Sequence, residues 1–330
     1  MAGSGTTVDT ISTVRIPFAI PSPDSHPFDV VGFGLNSIDL VAVVAEYPAV
    51  NSKQRLQRVA RLPGGQMATA VTTCARLGWR ARYIGRFGGD DLGALSRESL
   101  VRDGVDVSES ETIAGVSNQF AVILVDARTG ERTVLWDRHP LLNMEPGDVS
   151  REAVTSGRLL IVDCHQTAAA ARAARYARAA GIPTIIDVEK VRPGIGDLLQ
   201  NIDAIIAAEE FPTALTGHEH LGEAIRIIGR EWGAAVVCVT LGAKGSLAWC
   251  NGREIVTPAF PIDCVDSTGA GDCFRGAFAA ACLRMPSADI EDVLSYANAV
   301  AALNCRALGS RGGLPTPDEV DQLMLARPQT

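Results

Sequence analysis

The chain has 330 residues, 47% of them hydrophobic, enough to bury a large core in one domain with at most a small appendage. Thirty Lys and Arg against 38 Asp and Glu leave a net charge of −8, which excludes a nucleic-acid backbone as partner and restricts any bound anion to a small one. No apolar run reaches the ~18 residues of a membrane span, and residues 1–28 lack the basic start and apolar stretch of a signal peptide, so a cytoplasmic protein without membrane contact is expected.

Residues 1–28 are rich in Ser, Thr and Pro and are expected to form a flexible tail ahead of a domain over 29–330. An apolar strand is predicted over 28–34 and a β-branched one over 38–44. Pro63-Gly64-Gly65 then opens a helix over 67–77 that stops at Gly78. After a strand over 81–87, Asp90-Asp91 begin a helix ending at Gly104, with acids at its head and Arg102 near its tail, as the helix dipole prefers. Residues 120–126 and 132–137 alternate like a hairpin joined across Arg128-Thr129-Gly130.

From residue 158 the pattern becomes regular: strand 159–162, Ala-rich helix 168–180, strand 184–187, strand 204–206, helix 221–232 and a buried strand over 235–241. Strands alternating with helices predict an α/β fold: a three-layer α/β/α arrangement around a mostly parallel sheet, with ligands beyond the strand C-termini. Parts of 38–60 and 110–138 break the rhythm and are assigned to a small β-sheet lid over the site. The eight cysteines include no C-x-x-C pair and read as reduced core thiols.

Three glycine-rich segments compete for a nucleotide. Gly32-Phe33-Gly34-Leu35-Asn36-Ser37 follows a strand like a dinucleotide fingerprint, the mark of a dehydrogenase. Its third glycine is Ser37, however, and β-branched residues stand where a helix must start. Thr240-Leu241-Gly242-Ala243-Lys244-Gly245-Ser246 lies directly after a buried strand, where its glycines would let backbone approach phosphate or ribose. Asp266-Ser267-Thr268-Gly269-Ala270-Gly271-Asp272 joins a small-residue turn to an Ala-rich helix over 274–283. The amides of Gly269, Ala270 and Gly271 would converge on an anion at the positive end of the helix dipole, with Asp272 beside the reacting oxygen. An aspartate there could also be a simple helix cap.

Leu62-Pro63-Gly64-Gly65, the run from Tyr83 through Gly88-Gly89-Asp90-Asp91-Leu92-Gly93, and Asp266 to Asp272 together resemble the two signatures of the ribokinase-like (PfkB) carbohydrate kinases over roughly 29–318. The resemblance implies ATP- and Mg2+-dependent phosphorylation of a sugar hydroxyl, with Asp272 as the base and the amides of Gly269, Ala270 and Gly271 as the anion hole. It implies sugar binding by Asp39, Gly64 and Gly65, and nucleotide binding by Thr240, Gly242, Gly245 and Asn298; Thr69, Arg138, Asp163 and His165 are further substrate-binding candidates, and Lys244 is a further nucleotide-binding one. Asp266 and Thr268, with the loop over 305–315, resemble a monovalent-cation (K+) site of some members, and a homodimer through the lid is a further expectation. Two departures stand out: Ala207-Ala208-Glu209-Glu210-Phe211 replaces the family's Asn-x-x-Glu, and Thr69 replaces an Asn. The details of 68–70, 160–165 and 311–315 look closer to ketohexose-type kinases, including those acting on fructose or sulfofructose. A nucleoside acceptor and a non-catalytic sugar sensor remain alternatives. Arg275, one helical turn after Asp272, either faces the site or is an exposed helix arginine, and His165 either touches substrate or is a satisfied strand-end histidine.

Overall fold

A computed structural model describes residues 14–129 and 132–326. Strands β1 (Phe28–Phe33), β2 (Ser37–Val44) and β3 (Arg58–Gly64) lead to helix α1 (Gln66–Arg76), then β4 (Ala81–Ile84), β5 (Arg86–Gly88) and α2 (Asp91–Arg102). The short β6 (Glu111–Ile113) precedes β7 (Phe120–Asp126), β8 (Arg132–Asp137), α3 (Arg151–Val154), β9 (Gly157–Asp163) and α4 (Thr167–Ala179). Next come β10 (Thr184–Val188), α5 (Ile195–Leu199), β11 (Ala204–Ala208), α6 (Phe211–Thr216), α7 (Leu221–Trp232) and β12 (Val236–Thr240). The chain ends with β13 (Ser246–Cys250), β14 (Arg253–Thr257), α8 (Ala270–Arg284), α9 (Ile290–Asn304) and α10 (Pro317–Leu325).

Eight strands form the central sheet in the order β14-β13-β12-β11-β10-β9-β1-β4, parallel from β12 to β4 and antiparallel at the β13 and β14 edge. Buried on both faces, β9 to β12 are continuous apolar runs, which is why their side chains show no alternation. One core joins the sheet to α1, α8 and α9; the other joins its opposite face to α4, α5 and α7. Ala-rich α8 lies close against α1 because Gly276 sits on the Ala70 carbonyl, where a Cβ would collide, and Cys74 Sγ donates to Gly276 O at 3.2 Å. That contact fixes the direction in which the N-terminus of α8 points.

A second sheet, in the order β3-β2-β7-β8, has its own small core of Val41, Ala121, Ile123 and Val125. The expected lid thus has shifted bounds: β3 runs to Gly64, and residues 111–113 pair instead with β5. The predicted strand over 81–87 breaks at Gly85, where a Cβ would strike the Tyr83 hydroxyl and Gly34 O. Residues 37–44 are strand rather than helix, which removes the dinucleotide reading of 32–37.

The expected tail over 1–28 also needs correction where it is described, while residues 1–13 lie outside the described residues. Val14 and Ile16 are buried in the core, Ile290 N–H donates to Val14 O at 2.8 Å, and Arg158 Nε donates to Pro21 O at 2.8 Å. Two apolar side chains among polar ones sufficed to seat this stretch. All the cysteines are free, and all except Cys264 are buried. Among the described residues no helix is long and apolar enough to cross a membrane.

Candidate active site

The C-terminal ends of the parallel strands, the head of α8 and the inner face of the lid enclose a cleft of about 600 Å³. Its lining includes Asp39, Gly65, Gln66, Gln119, Trp136, His165, Glu189, Thr240 and residues 267–272. Gly269 is the N-cap of α8 in the left-handed region (φ 73°), and a Cβ on it would meet the Ser310 backbone. Ala270 N–H donates to Ser267 O at 3.2 Å, closing the turn. The expected set of three amide donors is therefore corrected: Ala270 supplies smallness, not an N–H. Among the described residues the amides of Gly269, Gly271 and Asp272 have no protein acceptor, so the helix end retains unpaired donors and its partial positive charge.

Asp272 lines the cleft beside those amides and accepts no hydrogen bond among the described residues. Burial pushes its carboxyl up to about 6 against the pull of Arg275, with Glu189 and Asp39 adding to the rise. A carboxylate of that basicity, with both oxygens uncommitted, can accept a proton near neutral pH. Arg275 is 2% exposed, so it is no surface arginine, and its Nε stands 2.7 Å from Asp187 Oδ1 at the end of β10.

At the lid end, Asp39 Oδ1 accepts from Ser37 Oγ (2.8 Å) and Oδ2 from Ser310 Oγ (3.0 Å), and its carboxylate lies against Gly64, where a side chain would displace it. Burial raises its pKa, with the two hydroxyls pulling back. Gly65 (φ 89°) packs on the Asn36 backbone at the cleft wall. Thr69 is fully buried and outside the lining. Arg311 links its hydroxyl (3.3 Å) to Gly64 O (2.9 Å), and burial lowers that guanidinium to about 10. Arg138 also stands behind the wall, donating to Gln119 Oε1 (3.0 Å), Leu142 O (2.7 Å) and Asn143 Oδ1 (3.0 Å); it props Gln119, which does line the cleft. Both Asp163 oxygens are taken by backbone, Leu35 N–H at 2.7 Å and His165 N–H at 3.0 Å. His165 reaches the cleft. Arg192 donates to its Nδ1 at 3.3 Å, which leaves the ring proton on Nε2, and burial lowers its pKa, so a neutral imidazole lines the cleft.

At the other end Thr240 and Gly242 line the cleft. Lys244 is exposed and outside the lining, whereas Gly245 (φ 97°) is buried against the Thr257 carbonyl. Asn298 is also buried: its Nδ2 donates to Ser246 Oγ (3.1 Å) and Thr257 O (3.3 Å), bracing the β13–β14 hairpin from behind. Asp266 Oδ1 accepts from Thr268 N–H (2.9 Å) and Oγ1 (2.6 Å), and its Oδ2 accepts from Gly309 N–H (2.8 Å), so it ties the turn before α8 to the loop after α9. In the stretch 207–211, which departs from Asn-x-x-Glu, Ala208 lines the cleft and Phe211 is fully buried. Among the described residues no group of three or more His, Cys, Asp and Glu could hold a metal ion by itself.

Sequence reasoning missed Gln66, Gln119, Arg132, Trp136, Glu189 and Lys190, all of which line the cleft. Glu189 and Lys190 follow directly on β10, and the rule that ligands sit beyond parallel strand ends would have flagged them. Arg132, Val134 and Trp136 alternate on β8, so one face was readable, though not which way it turned.

A sequence model described as "pfkB family carbohydrate kinase" matches residues 28–317. The ribokinase of Bacillus subtilis (strain 168) is 25% identical over 88% of this chain and 97% of its own length. Fructokinase-1 of Oryza sativa subsp. japonica is 28% identical over 89% and 97%. The solved structure of Arabidopsis thaliana ribokinase complexed with ribose and ATP superposes with a TM-score of 0.76 at 24% identity, covering 90% of this chain and 98% of that one, a likeness of fold.

Proposed function

Because this chain belongs to the pfkB family carbohydrate kinases, phosphotransferases with an alcohol acceptor, we propose that it transfers the γ-phosphoryl group of ATP to a hydroxyl of a furanose or ketohexose-type sugar. The observation that carries this reading is the meeting in one cleft of Asp272, the unpaired first-turn amides of α8 and Asp39. In the transfer, the acceptor oxygen bonds to Pγ, the bond from Pγ to the β,γ-bridging oxygen breaks with its electrons on ADP, and Asp272 takes the hydroxyl proton. The amides of Gly269, Gly271 and Asp272 receive the moving phosphoryl oxygens. Positioning and charge neutralisation are most of what such a transfer needs.

Asp39 orients the sugar diol, with the Nε2–H of His165 and the amide of Gln119 on the same wall. Thr240 and Gly242 form the nucleotide wall. Mg2+ would enter on the ATP phosphates, whose negative charge it neutralises. The donor set fits such a phosphate-borne ion, with Glu189 the carboxylate open to its water shell. A K+ near Asp266 would reinforce a loop contact the protein already makes, and comparing turnover in K+ and tetramethylammonium salts tests the need for it. Leu135 and the other β8 side chains are exposed on the lid edge, where a second copy would pair; sedimentation tests that dimer.

A nucleoside acceptor is the second reading. It is favoured by Trp136 and Val134, which face the cleft from the lid and offer an apolar surface to a base. An ADP-release screen over ketoses, aldoses, acidic sugars and nucleosides separates the two. Turnover with none of them would remove the kinase assignment.

A further inference from the structure

We propose that Arg275 is a catalytic residue of this transfer, its terminal guanidinium nitrogens forming a cationic wall of the anion hole while Asp187 holds its Nε side in place. The inference rests on the kinase reading above and adds a group that reading does not use. Arg275 projects from α8 one turn beyond Asp272, on the same helical face, and lines the cleft although it is almost wholly buried. A Cβ placed on Gly271 would run into Arg275 Nη1. The Nη1 end of the guanidinium therefore abuts the residue whose amide faces the phosphoryl position. Gly271 does not adopt a positive φ, so the room it leaves serves the arginine rather than a turn.

The hydrogen bonding points the same way. Nε stands 2.7 Å from Asp187 Oδ1, yet that contact lacks hydrogen-bond alignment, and Arg275 makes no aligned hydrogen bond to any described residue. A buried guanidinium with five donors and one ion-pair partner requires acceptors from elsewhere, and a planar fork fits phosphoryl oxygens. Burial opposes its charge, but the carboxylates of Asp187 and Asp272 outweigh burial and keep it protonated. Asp272, Asp39 and Glu189 all line this cleft, so an entering triphosphate meets acidic side chains. Arg275 is a cation of the lining that can offset their charge, and its Nη1 abuts Gly271. No atoms are exchanged with Arg275: it only binds oxygens as the P–O bond to ADP breaks and the bond to the acceptor forms.

The test compares wild type with Arg275→Lys, Arg275→Met and the double variant Arg275→Met/Asp187→Asn, the last removing the pair without leaving a buried carboxylate alone. Thermal unfolding reports folding. Turnover is read with the best acceptor, and calorimetry gives the affinity for Mg·ADP plus aluminium fluoride, a mimic of the phosphoryl in flight, against that for Mg·AMP-PNP. The proposal expects the double variant to unfold near the wild-type temperature, with kcat down ~10²-fold or more and the fluoride complex weakened far more than AMP-PNP. Partial recovery is expected in Arg275→Lys. A folded double variant within ~3-fold of wild-type kcat, or equal weakening of both nucleotide complexes, would overturn the arginine's role and leave the kinase reading intact. Wild type that releases no ADP with any acceptor would overturn both.

Discussion

Replacing Asp272 by asparagine sets catalysis against stability in a way the structure makes quantitative. An ordinary aspartate titrates near 4, whereas burial puts Asp272 at about 6. Each tenfold change in proton affinity is worth about 1.4 kcal/mol, so ionising this carboxyl in the folded protein costs about 3 kcal/mol relative to the unfolded chain. The sign follows from proton counting: between pH 4 and 6 the folded state binds more protons, so this group's favourable contribution is complete below pH 4 and lost as pH rises through 6. Asparagine keeps the shape and cannot ionise. Asp272→Asn should therefore be more stable than wild type at pH 8, by at most about 3 kcal/mol because Arg275 loses a partner, with the advantage shrinking toward pH 5. Urea unfolding at several pH values reads this difference, and the other carboxylates cancel because both proteins carry them. In ADP-release assays the same variant should lose at least ~10²-fold in kcat, and wild-type kcat/KM should fall below pH about 6. A stability difference that does not change with pH would refute the ionisation cost, and turnover within tenfold of wild type would refute the base.

Gly269→Ala puts a Cβ at φ 73° against Ser310, costing about 1–2 kcal/mol for the left-handed backbone alone; ADP release should fall at least ~10²-fold while far-ultraviolet circular dichroism stays unchanged. Trp136 is 58% exposed, so Trp136→Ala should leave the unfolding temperature within a degree or so and raise the acceptor KM ~10-fold, the loss of about 1.4 kcal/mol of apolar contact. Asn36 is buried, donating to Tyr83 Oη and Arg86 O at 2.9 Å each and accepting from Ser96 Oγ at 2.9 Å. Asn36→Ala should destabilise the protein by about 2–4 kcal/mol in urea unfolding, since its partners are left unsatisfied. In the native protein one thiol per chain, that of Cys264, should react promptly with a disulfide reagent.

The parallel layers were legible because β9 to β12 are short apolar runs separated by segments of helical pattern, and the head of α8 because its glycines and aspartate are contiguous. The β13–β14 hairpin went unread, although Asn251-Gly252 sits between alternating residues. Its positive φ values of 48° and 81° are those of the tight hairpin turn that this dipeptide favours. Arg275 could be placed on the right helical face but not inside the protein. Its burial depends on Asp187, far away in sequence on another strand, and such a pair leaves no local signature. The packing of Val14 and Ile16 was hidden for the same reason, since their partners Ala288 and Ile290 lie at the far end of the chain.

Hydrogen bonding sorts the acidic residues around the cleft more sharply than their positions in the motifs do. Asp90 caps α2 through Gly93 N–H and also accepts from Asn118 N–H; Asp163 and Asp266 likewise hold backbone N–H groups of loops distant in sequence. Committed to amides, these three carboxylates fix loops and have little capacity left for a ligand. Asp39 accepts only from two hydroxyls, which can rotate away to admit a sugar, and Asp272 and Glu189 accept from no described residue. Sequence alone does not separate these six acids into the two groups. The division into clamps and open carboxylates follows from which lone pairs the fold leaves uncommitted, and it is the ground on which the proposed function gives the proton to Asp272, the sugar hydroxyls to Asp39 and the water shell of the nucleotide's metal to Glu189.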